Sequence, residues 1–200
     1  MALGTTTWRG RNRQRLERTR DVAKNLGFDK PIIIDYGPGG AVDFLLDWLP
    51  EGDKPDWSTW NKLQRGVVKL AESALRKTNL FYLETSEPEE IAYLFRDLSP
   101  ERIHVIDKER KVIDAVIRMV ERNGLPVPIY YQVLDIQDSP FEQQGDIVIA
   151  YNIVQRTANP AKSLDYIART TKIGGLLSTT FPTTPHGFKE RELGLYQRIR

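Results

Sequence analysis

The sequence predicts an α/β protein with a Rossmann-like, doubly wound, mostly parallel sheet, helices on both faces and an antiparallel closing hairpin. Short β-branched apolar runs alternate with longer segments of helical periodicity for most of the chain. That alternation is typical of a parallel sheet flanked by helices. The 200 residues, 40 % of them hydrophobic, suffice for a single domain with its own core.

The composition excludes several classes of function. The chain has no cysteine, which excludes disulfides, thiolate nucleophiles and thiolate metal sites. Its formal net charge of +2 is too small to mark the whole molecule as a nucleic-acid binder. No apolar run approaches the roughly 20 residues of a membrane span, and the first residues lack the apolar stretch of a secretory signal. We therefore expect a cytoplasmic protein without a membrane partner.

The N-terminal half is predicted to place one clear strand between helices. Gly27 ends the first helix, and Pro50 ends the second. Ser86 is a suitable N-cap for the third, whose first turn is rich in glutamate. In order, the predicted segments are an arginine-rich helix (about 8–27), a buried strand (31–35), a helix (40–49), an insertion (about 50–85) and a helix (86–98).

The C-terminal half repeats strand and helix more regularly. Apolar runs predict four strands, and two segments of helical periodicity separate them. A Gly174-Gly175 turn is predicted to lead into the last of these strands, and Leu193-Gly194 is predicted to form the turn of the closing hairpin. The strands are 102–107, 128–135, 146–152 and 174–181, and the helices are 108–124 and 160–171.

A glycine-rich segment, "DYGPGG", follows the first strand. Glycines after a strand let backbone approach a ligand and aim the next helix's N–H groups at it. A type II turn uses the same residue types, so the segment alone does not define a site. Asp107 also ends a strand, at the position where an acid binds ribose hydroxyls in dinucleotide-binding folds. The combination favours a nucleotide-like ligand at the carboxyl ends of the strands.

The order of these motifs resembles that of the class I S-adenosylmethionine-dependent methyltransferases over about residues 31–181. "DYGPGG" is similar to their first motif, "VIDKERKVIDAV" to the second-strand motif, and "VLDIQDSPF" to the motif that touches adenine. "GDIVIAYN" and "KIGGLL" follow in the family's order. The resemblance implies one methyltransferase-like domain over residues 1–200 with S-adenosylmethionine as cofactor. The cofactor-binding residues that it implies are Asp35, Gly37, Gly39, Gly40, Asp107, Lys108, Asp135, Ile136 and Tyr151.

Three residues are candidates for catalysis. Tyr151 and Asn152 end the fourth predicted strand, where reacting groups sit in this fold. His186 follows the fifth strand and is the candidate imidazole base. "YNIVQ" does not match the motif that methylates amino groups of bases, which argues against that DNA chemistry. We expect no metal.

The position of the cofactor loop has two interpretations. Asp107 follows Asp35 by far more than the roughly 20 residues that usually separate loop and ribose acid. Either an insertion (about 50–85) lies between them, or the glycine-free segment 84–90 occupies the cofactor position. The first is favoured, because only glycines allow close approach of the backbone. The two interpretations place different strands beside 102–107.

The acceptor also has more than one interpretation. A small molecule is expected, and the sequence leaves its identity and the oligomeric state open. The arginines between Arg9 and Arg20 allow an RNA methyltransferase as an alternative, since clustered arginines contact phosphates. A non-catalytic binding protein on the same fold is the other alternative.

Overall fold

A computed structural model describes residues 8–38, 87–138 and 141–200. The predicted helix over 40–49, the insertion (about 50–85) and the glycines Gly39 and Gly40 lie outside these residues. The helices are α1 (Trp8–Asn25), α2 (Glu87–Leu94), α3 (Arg110–Asn123) and α4 (Pro160–Arg169), with 3-10 turns at Arg96–Leu98 and Val154–Arg156. The strands are β1 (Ile32–Tyr36), β2 (Arg102–Asp107), β3 (Ile129–Val133), β4 (Gly145–Ala150), β5 (Thr171–Thr179), β6 (Phe188–Glu192) and β7 (Leu195–Arg198).

The strands form one sheet in the order β3-β2-β1-β4-β5-β7-β6. β1 to β5 are parallel, while β7 is antiparallel to both β5 and β6. The predicted fold class is therefore confirmed, including the closing hairpin.

Two apolar layers cover the sheet. Side chains alternate between its faces, so Ile33 and Ile147 pack with α1, α2 and α3, whereas Ile34 and Val148 pack with α4. The central strands β1, β2 and β4 are buried on both faces, which explains why the sequence shows continuous apolar runs rather than alternation there, whereas the edge strand β3 is partly exposed. Within the described ranges, no helix is both long and apolar enough to cross a membrane.

The predicted Gly174-Gly175 turn is wrong, because both glycines lie inside β5. The pairing with β4 shifts register between Gly145 and Ile147, and Gly174 has a φ of +85°. A Cβ on Gly175 would lie 2.8 Å from the Asp146 carbonyl oxygen. The two glycines thus form an irregularity that lets β5 pass close to β4.

Candidate cofactor and acceptor site

The site lies at the carboxyl ends of the parallel strands. The chain leads from β1 to β2 and β3 on one side of the sheet, and then returns to β4 and β5 on the other. The topological switch point is therefore between β1 and β4, where open α/β sheets bind ligands.

The pairing of β2 shows which strand lies beside it, a point on which the two interpretations of the cofactor loop differ. β2 is hydrogen-bonded to β1 on one side and to β3 on the other, so both of its edges are occupied. The strand beside 102–107 is therefore Ile32–Tyr36, as the interpretation with an insertion predicts. The loop that starts at Gly37 consequently begins at the carboxyl end of a central strand.

Polar side chains occupy one face of four adjacent strands at this edge. Asp35 and Asp107 stand two positions beyond Ile33 and Val105, which belong to the apolar layer beneath α1. Ser178 on β5 is level with Asp35, and Tyr151 follows directly after β4. The hydroxyl oxygens of Tyr151 and Ser178 are 2.8 Å apart. A polar row interrupts the apolar layer only where the strands end.

Asp35 is the most constrained member of this row. Its side chain is fully buried, and neither carboxylate oxygen accepts a hydrogen bond from the described residues. Desolvation raises the pKa of Asp35 well above its usual range, and the negative charge of Asp107 raises it further. A buried acid without a partner is costly, so its presence in a native fold requires an explanation.

Asp107 is the neighbouring acid on β2. It is 9 % exposed, and its Oδ1 accepts the backbone N–H of Glu109 at 2.8 Å. Burial raises the pKa of Asp107 to about 6, against the opposing effect of the Glu109 N–H. A carboxylate can accept several hydrogen bonds, so Asp107 keeps capacity for a ligand hydroxyl. Lys108, the next residue, is exposed.

Gly37 makes the turn that leaves β1. Its φ of +70° favours glycine, and its N–H donates to the Ile106 carbonyl at 2.8 Å. A Cβ at this position would lie 2.9 Å from Cδ1 of Ile153, which follows β4. The missing side chain therefore lets the loops after β1 and β4 touch across the switch point.

The loop after β3 holds the predicted adenine-contacting residues. Asp135 Oδ1 accepts the Gln137 N–H at 2.9 Å, and Ile136 is buried against the face that α4 covers. Gln137 Oε1 in turn accepts the Ala158 N–H at 2.7 Å, and the Gln137 carbonyl accepts Lys162 Nζ at the same distance. These bonds fix the loop against the segment that follows β4.

The loop after β4 carries backbone strain. Asn152 has a φ of +54°, its N–H donates to Thr180 Oγ1 at 2.7 Å, and its Oδ1 accepts Gln155 Nε2 at 2.9 Å. The buried Nδ2 of Asn152 finds no acceptor among the described residues. A strained residue with an unused donor, at the end of a strand beside the switch point, is a candidate ligand contact.

The structure does not bring the two histidines to this site. β7 returns to the start of β5, where Arg198 Nη1 donates to the Thr171 carbonyl, and the Ile199 N–H bonds to the Gly187 carbonyl. His186, beside Gly187, therefore lies at the amino-end edge of the sheet. It is exposed, with Nε2 3.4 Å from Arg200 Nη2. His104 is buried against Tyr130.

Sequence reasoning missed three residues beside Tyr151. Thr19 Oγ1 donates to Ser178 Oγ at 2.9 Å, and the guanidinium carbon of Arg15 lies 5.9 Å from the centre of the Tyr151 ring. Arg15 and Thr19 are four residues apart on α1, which puts them on one helical face. The four-residue spacing on α1 and the serine inside the apolar run of β5 were the sequence features that could have indicated these residues.

The fold is that of a Rossmann-like α/β protein, and the buried acids place a candidate ligand site at its switch point. Residues 89–179, just under half of the chain, match the family model described as a methyltransferase domain. This match confirms, over that segment, the resemblance to methyltransferases that the sequence predicted. The matched segment starts within α2 and so does not include β1 or the glycine-rich loop.

Similar solved structures include coclaurine N-methyltransferase bound to N-methylheliamine and S-adenosylhomocysteine, with 12 % identity and a TM-score of 0.49. NodS, an N-methyltransferase of Bradyrhizobium japonicum WM9, has 11 % identity and a TM-score of 0.49. A methyltransferase-like protein of Bacillus halodurans C-125, described as putative, has 16 % identity and a TM-score of 0.49. The alignments cover 88 %, 87 % and 86 % of this chain, but only 37 %, 62 % and 52 % of those chains, respectively.

This chain therefore spans less than two thirds of the length of these solved structures. A search of curated proteins found no match.

Proposed function

We propose that this chain is an S-adenosylmethionine-dependent methyltransferase that acts on a small-molecule acceptor. The observation that carries the proposal is the pair of buried carboxylates, Asp35 and Asp107, at the carboxyl ends of adjacent strands beside the switch point. Asp35 has no partner among the described residues. A ligand that brings positive charge and hydroxyl groups would satisfy both acids. The family match over residues 89–179 supports the same conclusion.

The residues present fit this cofactor. Asp107 offers a hydrogen-bond acceptor to ribose hydroxyls, and the loop of Asp135 and Ile136 would hold the adenine. Asp35 can ionise when the cofactor binds, since the sulfonium and ammonium groups of the cofactor would lower its pKa. Gly37 lets the loop after β1 pack directly against Ile153 of the loop after β4. Gly39, Gly40 and Lys108 remain predicted contributors.

The cofactor supplies an electrophilic methyl group when bound. The chain's own residues bind, orient and exclude water. Tyr151 is 2 % exposed and fixed by its hydrogen bond to Ser178, which gives the acceptor side of the site a rigid wall. Asn152 contributes an amide donor to an acceptor oxygen. His186 has no role in the proposal, because it lies at the opposite edge of the sheet.

The alternatives need separate support. In α1, Arg13 is paired with Glu17 and Arg20 with Asp21, which reduces the positive charge available to RNA phosphates. The described part of α1 thus gives the RNA alternative no support beyond its arginine content. The cytoplasmic location expected from the sequence stays a prediction.

Calorimetric titration with S-adenosylmethionine and S-adenosylhomocysteine tests the proposal. We expect saturable binding of both at micromolar concentrations, and no binding at millimolar ligand would contradict it. A second assay follows the labelled methyl group from S-adenosylmethionine into a panel of small hydroxyl and amine compounds. Cofactor binding without transfer to any of them would favour the non-catalytic alternative.

A further inference from the structure

We propose that the acceptor carries an anionic group, a carboxylate or a phosphate, and that Arg15 of α1 binds it beside Tyr151. The inference rests on the proposed function, because it names the chemical class of acceptor for the same site. It adds a specificity-determining residue that lies outside the segment matched by the methyltransferase family.

The direction of α1 across the sheet places Arg15 near the candidate site. Near its C-terminus, Lys24 Nζ contacts Asp97 Oδ2 at 2.5 Å, and Asp97 precedes β2 at the amino-end edge. One and a half turns earlier, Thr19 bonds to Ser178, close to the end of β5. A further turn earlier, Arg15 lies over Tyr151, directly after β4. α1 thus runs antiparallel to the strands and brings Arg15 to the carboxyl-end edge.

Arg15 has no acidic partner among the described residues. Two other arginines of α1 have carboxylate partners: Arg13 contacts Glu17 at 3.1 Å, and Arg20 contacts Asp21 at 2.6 Å. Arg15 is half-buried, and within the described residues its guanidinium donates only to Asn12 Oδ1, at 3.1 Å. A guanidinium has five N–H donors, so most of its capacity remains unused. Because the guanidinium of Arg15 is partly buried and has no counter-charge, binding of an anion there is expected to be favourable.

The residues around Arg15 also favour the binding of an anion. Its guanidinium lies near the Tyr151 ring, which limits its freedom and so reduces the entropy lost when it binds an anion. Asn152, the next residue, has the unused buried amide donor. Two kinds of donor therefore stand at the end of one strand, and the acids Asp35 and Asp107 lie on β1 and β2. The cation therefore lies on the proposed acceptor side, and the two acids lie on the proposed cofactor side.

Anion binding to the cofactor-loaded protein tests this proposal. Benzoate and inorganic phosphate are titrated separately into protein saturated with S-adenosylhomocysteine, with benzamide as the neutral match of benzoate. We expect saturable binding of at least one anion, weakened about 10-fold or more in Arg15→Gln, since a charge-assisted hydrogen bond is lost. Arg18→Gln changes an exposed arginine of the same helix and is expected to bind within twofold of wild type.

Three results would overturn the assignment: no saturable binding of either anion, equal binding by Arg15→Gln, or benzamide binding as tightly as benzoate. The benzamide comparison needs no variant, so it holds even if Arg15→Gln does not fold. Preference for benzoate over phosphate would assign a carboxylate acceptor, and the reverse would assign a phosphate. S-adenosylhomocysteine affinity is measured in the same samples. If S-adenosylhomocysteine does not bind but the anion does, the proposed function is rejected and the anion site is retained.

Discussion

The two edges of the sheet treat the same residue type in opposite ways. At the amino-end edge, Asp146 accepts the Ile32 N–H at 2.8 Å and contacts Lys172 Nζ at 2.9 and 3.0 Å. At the carboxyl-end edge, Asp35 is fully buried and accepts no hydrogen bond from the described residues. Asp146 links β4 to β1 and β5, whereas Asp35 lacks such partners, and for that reason we propose Asp35 as a ligand contact. The two acids differ in whether the carboxyl group finds hydrogen-bond partners, not in residue type.

The largest expected effect is on cofactor affinity. We predict that Asp107→Ala weakens S-adenosylhomocysteine binding about 100-fold, because charge-assisted hydrogen bonds to the ribose hydroxyls are lost. Asp146→Ala is the matched control at the other edge and is expected to stay within about threefold of wild type. Calorimetry on both variants measures this difference. Equal losses in the two variants would remove the distinction between the edges.

The next effect is on stability and its pH dependence. The raised pKa values of Asp35 and Asp107 mean that the folded protein holds protons that the unfolded chain has released. Stability therefore falls as pH rises, for Asp107 between about pH 4 and 6. We predict that Asp35→Asn stabilises the cofactor-free protein at pH 7 by about 1–3 kcal/mol, since it removes an uncompensated buried acid.

The stabilisation by Asp35→Asn should vanish near pH 3, where the carboxyl is protonated in both states. Urea unfolding across this pH range provides the measurement. A gain that is constant with pH would show that the carboxyl charge is not its cause.

Asp146→Ala should have the opposite sign. We predict a loss of about 1–2 kcal/mol in the free energy of unfolding at pH 7, because the Ile32 N–H loses its acceptor. The pair with Lys172 contributes less, since both side chains are partly exposed. The same unfolding experiment measures it, and a stabilised variant would refute the structural role given to Asp146.

The smallest effect compares two glycines with positive φ. Gly37 has φ +70° and Gly27 has φ +75°, but a Cβ would meet Ile153 at the first and nothing within 4 Å at the second. Both alanine variants carry the backbone strain, so only Gly37→Ala adds a steric cost. We predict that Gly37→Ala loses about 1 kcal/mol more than Gly27→Ala. Equal losses would mean that Ile153 moves aside freely.

Much of the fold could be predicted because local signals and tertiary structure agree. β1, β2 and β4 were found from continuous apolar runs, since a central parallel strand is buried on both faces. The helix predicted to end at residue 124 does so, since α3 ends at Asn123 and Gly124 caps it with a φ of +61°. The Gly174-Gly175 prediction failed because glycines at a turn and at a strand irregularity look alike in sequence.

The site was predictable only where a residue's position follows from a strand end. Asp35, Asp107 and Tyr151 are such residues, and the structure brings them to one edge. His186 follows β5 in sequence, but the chain crosses back to the other edge before β6, a path that no local pattern reveals. Arg15 was missed for the same reason, because its contact with Tyr151 joins residues far apart in the chain.

The number of protons released on cofactor binding tests whether Asp35 and Asp107 form the cofactor site. S-adenosylmethionine is titrated at pH 6 in two buffers of different ionisation enthalpy, which counts the protons exchanged. We predict that a cationic cofactor displaces protons from the Asp35 and Asp107 pair, so that binding releases protons and Asp35→Asn releases fewer. Binding without any proton release, or no binding at millimolar ligand, would contradict it.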